Sequence, residues 1–248
     1  MRRRDLLFGS LALLVLWQLL SWMLRTETFP GPWETAQAFV AAVPRGLARH
    51  FLVSGYRVVA GIALAMLAAV PSGLILGQSP ALNRFFSPIL YITYPVPKIV
   101  FLPVILLLFG IGDTSKIVII FLILFFQILV VVRDQAAALR PELIYSVRSL
   151  GAGRRALFRY VYLPATVPAA LTALRVSIGT AVAVLFFAET FATTAGLGYY
   201  IIVDSWGRLA YADMYAGVVA MSLLGLLLYF LVDRLERWLA PWMFLSDA

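Results

Sequence analysis

Apolar blocks of near-uniform length alternate along this chain with short polar segments rich in arginine. The blocks cover residues 6–24, 55–77, 86–110, 115–132, 164–189 and 213–232. About 20 residues rising 1.5 Å each cross roughly 30 Å of hydrocarbon, and a helix satisfies its own backbone groups where lipid cannot. The pattern therefore predicts an all-α integral membrane protein, with six transmembrane helices in a single domain over residues 1–248 and both termini on one side. The short alternating strands of a barrel do not fit it.

The first block follows Met1-Arg2-Arg3-Arg4, which resembles the basic start of a signal peptide. The block is nearly of spanning length, and Arg25-Thr26-Glu27-Thr28-Phe29-Pro30 offers no small-x-small cleavage site, so an uncleaved helix is expected. After Pro30-Gly31-Pro32, residues 33–50 carry Ala36, Phe39, Val40, Val43 and Leu47 at helical spacing, which predicts an amphipathic helix along the outer interface with Trp33 at headgroup level. In the third block Pro95, Pro97 and Pro103 remove backbone donors, so that helix must kink or break. A kinked helix suits a gated pathway and also occurs for purely structural reasons.

The long loop 133–163 reads as two short helices, Glu142–Leu150 and Arg154–Val161, around a turn at Gly151 where positive φ is needed. Together they form a rigid knob. Its apolar members Leu150, Leu157, Phe158 and Val161 are either a partner's footprint or the underside of the bundle.

Composition agrees with the pattern: 62% of the 248 residues are hydrophobic, 13% are charged and the mean hydropathy is +0.94, against about half apolar and a quarter charged in soluble domains. The absence of cysteine and the single histidine, His50, exclude disulfides and Cys/His metal cages. The net charge of +8 sits in the short loops, where it orients the chain, and nucleic-acid binding is a poor reading. With the N-terminus inside, twelve arginines lie in cytoplasmic segments and four outside, so both termini are expected in the cytoplasm. Arginines 148, 154, 155 and 159 carry that signal and also suit anionic lipid or acidic groups on a partner.

Charges inside a span cost several kcal/mol unless paired or hydrated, which marks Lys98, Arg175 and Glu189 as candidates. Glu189 is read as lining a pathway, with the outer boundary as the alternative. Arg175 could instead serve as a structural partner for it or for a backbone carbonyl. No G-x-x-x-x-G-K-[ST] phosphate cradle is present, so any ATP-derived energy must come from another chain.

The loop Tyr145-Ser146-Val147-Arg148-Ser149-Leu150-Gly151 through Leu163-Pro164 resembles the cytoplasmic coupling loop of ABC importer permeases, with glycine and Leu-Pro at the family's distances. Tyr145-Ser146-Val147 departs from the usual Glu-Ala-Ala and removes an acid available for a salt bridge. Tyr94-Pro95-Val96-Pro97-Lys98, Leu102-Pro103, Phe109-Gly110-Ile111-Gly112, Ala188-Glu189, Thr194-Ala195-Gly196-Leu197-Gly198-Tyr199, Gly225, Asp233 and Pro241-Trp242 resemble, in order and spacing, the branch importing nitrate, sulfonates, taurine, bicarbonate or thiamine precursors.

The resemblance implies a type I importer permease of the bacterial inner membrane that passes a small solute, preferentially an anion. It implies an ATPase dimer carrying ATP and Mg as partner, a second permease copy forming a homodimer, a periplasmic or lipid-anchored binding protein, and no cofactor on this chain. Coupling would fall to Tyr145, Ser146, Arg148, Leu150, Gly151, Ala152, Arg154, Phe158 and Pro164. Tyr94, Pro95, Pro97, Lys98, Arg175 and Glu189 are the pathway candidates. A stand-alone transporter or channel would show inverted repeats, a filter or several intramembrane acids, and a membrane enzyme would need clustered His, Asp or Glu. None of these is seen in the sequence.

Overall fold

The computed structural model describes residues 3–191 and 193–243, so Met1 and Arg2 of the basic N-terminal run lie outside the described residues. All regular structure among the described residues is helical: α1 (Arg3–Leu24), α2 (Pro32–Ala42), α3 (Ala48–Gln78), α4 (Pro80–Thr93), α5 (Leu102–Phe109), α6 (Asp113–Ala137), α7 (Pro141–Ser149), α8 (Arg154–Leu157), α9 (Leu163–Thr190), α10 (Leu197–Tyr199) and α11 (Tyr211–Leu239). The chain divides into two compact units, one of Met1–Gly55 with Phe186–Leu224 and the other of Tyr56–Leu185 with Gly225–Ala248.

In the larger unit, α3 and α6 pack through glycines. A β-carbon on Gly61 would meet Ile120 Cγ2 at 2.6 Å, one on Gly73 would meet Val132 Cβ at 2.8 Å, and one on Gly77 would meet the Arg133 carbonyl at 2.5 Å and Ala136 Cβ at 2.6 Å. Small residues bring two backbones this close, and in lipid such packing replaces the hydrophobic drive that water supplies. The contacts advance together along both chains, so the two helices run parallel. Their starting ends are joined by Arg57, whose Nε and terminal amine donate to Asp113 Oδ1 at 2.8 and 2.6 Å.

Two parallel spanning helices require the chain between them to return across the membrane. That segment is α4 followed by Lys98–Phe109, bent by 81° at the break. Arms of about 21 and 18 Å meeting at that angle reach about 30 Å end to end, one bilayer thickness. The pair is one broken span, and with the five continuous candidates it makes six. The break falls at residues 94–97, and Pro103 sits in the first turn of α5, where its missing N–H costs nothing.

In the same unit α9 and α11 run antiparallel, with Gly225 facing Val182 and Arg175 facing Asp233 and Glu236.

In the smaller unit, α1 exposes most of its apolar side chains, as a lipid-facing helix does. It is tied down at one end, where Trp17 Nε1 donates to the Pro30 carbonyl at 3.1 Å and Ser21 Oγ to the Phe29 carbonyl at 3.2 Å. Trp17 and Phe29 both pack on the Tyr215 ring. The helix expected over 33–50 is interrupted: α2 ends at Ala42, a π-helical turn Val43–Leu47 follows, and Gly46 has φ +127. Its buried residues are Thr35, Ala42 and Leu47, while Val40 of the expected face is exposed. Gly46 supplies the kink that a β-carbon would resist.

Candidate functional site

A cleft of about 670 Å³ runs along one face of α9 in the larger unit. Pro164, Ala165, Pro168, Ala169, Thr172, Ala173, Val176, Ser177 and Thr180 line it at the three- and four-residue spacing of a single helix face. Opposite stand Gln127, Val131 and Gln135 of α6, with Tyr94 at the break of the third span and Trp242 and Met243 of the tail. Its polar groups are neutral amides and hydroxyls, and among the described residues no charged side chain contributes to the lining. The Gln127 Oε1 is buried without a hydrogen-bond partner, a group left for a ligand or water. A second cavity of about 490 Å³ is lined by Tyr91, Tyr94, Pro95 and Arg133 among others.

Of the pathway candidates, Tyr94 lines both cavities and Pro95 the second. Pro97 ends the break and precedes the 3₁₀ turn Lys98–Phe101. The charged candidates each have partners within the chain. Lys98 Nζ donates to the carbonyls of Thr93 and Tyr94 at 2.7 and 2.6 Å and lies 4.8 Å from the Phe126 ring centroid. It thus caps the carbonyls that the break leaves unpaired at the end of α4, where a cation also complements the helix dipole.

Arg175 lies about a quarter turn from the cleft face. Its guanidinium bonds Glu236, reaches Asp233 at 3.3 Å and overlies the Tyr229 ring. The acids of α11 pair with the Arg175 guanidinium, whose Nε is buried without a hydrogen-bond partner.

Glu189 is fully buried in the smaller unit. Ser54 Oγ donates to its carboxylate at 2.8 and 2.9 Å and accepts the Leu197 N–H at 2.7 Å, and the Gly198 N–H donates to Glu189 Oε2 at 3.0 Å. His50 completes the cluster. Its Nδ1 stands 3.0 Å from both the N–H and the carbonyl oxygen of Gly196, its tautomer selecting between them, and its ring stacks on Tyr199. The cluster locks the glycine turn after α9 onto the start of α3.

The loop 133–163 contains a helix stop of defined chemistry. The Gly151 N–H donates to the Arg148 carbonyl at 2.9 Å and the Ala152 N–H to the Val147 carbonyl at 3.4 Å, with Gly151 at φ +85. This is a Schellman closure of α7, and it needs glycine at the left-handed position. Gly153 then starts α8, which passes through the π-helical turn Phe158–Tyr162 into α9. The closure holds Leu150 out, 86% exposed, and Tyr145 and Phe158 are also exposed. Leu157 and Val161 are buried, so two of the four apolar residues belong to the underside and two remain available to a partner. Ser146 Oγ is turned to the Glu142 carbonyl of its own helix at 2.8 Å. Pro164 lies on the cleft, and Arg148 and Arg154 line a separate cavity at the foot of the loop.

The sequence reading did not single out Gln127, Thr172, Ser177 and Thr180, although three of them are polar interruptions on one face of an otherwise apolar helix. Nor did it identify Ser54, whose partner is 135 residues away.

The family model described as "Binding-protein-dependent transport system inner membrane component" matches residues 61–245. The taurine transport system permease protein of Escherichia coli (strain K12) is 32% identical, with 97% of this chain and 90% of that protein covered. The nitrate import permease protein of Synechococcus elongatus is 26% identical over 91% of this chain and 84% of the relative. A putative aliphatic sulfonates transport permease protein of Bacillus subtilis is 27% identical over 93% and 84%. Among solved structures, an inward-facing form of the MetNI methionine ABC transporter superposes with a TM-score of 0.64 at 22% identity, over 78% of this chain and 95% of that one, a likeness of fold.

Proposed function

We propose, from the premise that this chain belongs to the family of binding-protein-dependent transport system inner membrane components and is the permease subunit of an ABC importer, that it passes a small solute bearing an anionic group, of the sulfonate, taurine or nitrate kind. The subunit is a multi-pass inner-membrane transport component and not an enzyme, and its family works with an ATPase and a substrate-binding protein.

The observation that carries the solute reading is the cleft along α9, whose lining among the described residues offers amide and hydroxyl groups and no carboxylate. Hydroxyl and amide donors suit the oxygens of a sulfonate or nitrate. Without a fixed cation they hold an anion weakly enough to release it, as conduction requires. The taurine, nitrate and aliphatic sulfonates transport permeases to which the chain is similar support the same class.

In this reading a binding protein delivers the solute from outside, a second copy of the chain supplies the facing wall, and both termini lie in the cytoplasm. Each knob, with Tyr145, Leu150 and Phe158 outward and Gly151 and Ala152 holding the turn, seats in one ATPase of a dimer. ATP binding draws the knobs together and turns the pathway outward, and hydrolysis returns it. The polar break at Tyr94-Pro95-Val96-Pro97 gives the third span a place to bend.

The test is reconstitution of the permease with its ATPase and binding protein in liposomes. Labelled taurine, an alkanesulfonate and nitrate are supplied, and uptake and ATP hydrolysis are followed. One of the three is expected to accumulate and to stimulate hydrolysis. Stimulation by a neutral or cationic solute alone would overturn the anion reading while leaving the importer in place.

A further inference from the structure

At the foot of the coupling loop, on the side facing the bundle, lies a cavity of about 470 Å³ whose polar lining is Gln78, Ser79, Arg148, Arg154 and Tyr162. Four properties set it apart. Among the described residues no acidic side chain lines it. Neither arginine side chain has a hydrogen bond or ion pair among the described residues, so both guanidinium groups that line it have their donors open. The Gln78 Nε2 is buried without a partner, and such a donor is costly unless something accepts from it. Finally, Gln78, Ser79 and Pro80 form the turn between α3 and α4, and Tyr162 immediately precedes α9, so the cavity opens at the membrane boundary.

Two guanidinium groups, an amide N–H and a phenol converging on a half-enclosed space match the oxygens of a phosphate, which guanidinium binds with directed, charge-assisted hydrogen bonds. The N-terminus of α4, begun by Ser79, adds a favourable dipole end. We infer that this cavity binds a phosphate-bearing anion at the membrane boundary beside the coupling loop. A lipid phosphodiester headgroup or a free phosphate compound supplies the same chemistry. Occupancy would brace the loop against the last turn of α3, the connection through which movement of the knob reaches the spans.

The test uses the full chain purified together with its ATPase. Native mass spectrometry follows binding of phosphatidylglycerol, with phosphatidylcholine as comparison and inorganic phosphate as competitor. The wild type is expected to hold phosphatidylglycerol in preference to phosphatidylcholine, and Arg148→Gln/Arg154→Gln to bind it at least about tenfold more weakly. Arg159→Gln, a cation of the same loop outside the cavity, is expected to bind as wild type does.

Bound lipid that phosphate does not displace assigns the headgroup. Displacement by phosphate, or phosphate binding lost in the double variant, assigns the free anion. If the double variant is unstable, Gln78→Glu keeps both arginines and sets a carboxylate against them, and the same loss is expected. Equal binding of both probes to wild type and variants overturns the inference. So does release of the ATPase by Arg148→Gln/Arg154→Gln with binding of both probes unchanged, since the arginines would then serve acidic groups of that partner.

Discussion

A β-carbon on Gly196 would stand 2.3 Å from the carboxyl carbon of Glu189, so the glycine turn is moulded directly onto the buried acid. Gly196 also has φ +121, a conformation that L side chains resist. Gly196→Ala therefore meets both a clash and strain, and a loss of about 2–4 kcal/mol is expected. Thermal unfolding in detergent measures it. An unchanged midpoint would show that the turn repacks freely.

Glu189→Ala removes the acceptor for Ser54 and for the Gly198 N–H, leaving buried donors unpaired at about 1–3 kcal/mol. Ser54→Ala loses part of the same network, and the double variant is expected to cost less than the two losses added. A double-mutant cycle on the unfolding midpoint checks this, and strict additivity would mean that the two residues act separately.

Arg57 is 4% exposed, and Asp113, which accepts from it, is half exposed. Asp113→Ala removes an acceptor from a buried cation and is expected to lower stability by about 2 kcal/mol, whereas Arg57→Met with Asp113→Ala should recover most of that loss, since a buried pair is worth less than breaking it costs. Equal stability of the single and double variants would contradict the account.

Close approach of α3 and α6 predicts a contrast among glycines. Gly73→Leu and Gly77→Leu face atoms within 3 Å and are expected to abolish accumulation of folded protein. Gly179, with nothing within 4 Å, should accept alanine with unchanged or slightly raised stability. Expression and size-exclusion profiles of the three variants decide it.

The chain contains no cysteine, so single cysteines report accessibility without background. Thr172→Cys and Thr180→Cys on the cleft are expected to react with a water-soluble thiol reagent, and Leu171→Cys, buried beside them, is not. Leu150→Cys should be labelled only from the cytoplasmic face. Labelling of Leu150→Cys from outside would reverse the proposed topology.

The sequence by itself determined the six spans, a kink or break in the third from Pro95, Pro97 and Pro103, and the Gly151 stop of α7. Each depends on local quantities: the length of an apolar run, a missing donor at proline, a positive φ at glycine. Local pattern also marked Lys98, Arg175 and Glu189 as intramembrane charges without telling what satisfies them. Only the tertiary structure decided that Lys98 caps its own broken helix, that Arg175 turns to Asp233 and Glu236, and that Glu189 is enclosed by Ser54 and a turn from its own chain. It also decided that neutral groups, and not these charges, line the cleft. The reason is rotational: a span's length is fixed by counting residues, but which face meets a neighbour depends on packing between helices distant in sequence, and a quarter turn carries a side chain from a cleft into an ion pair.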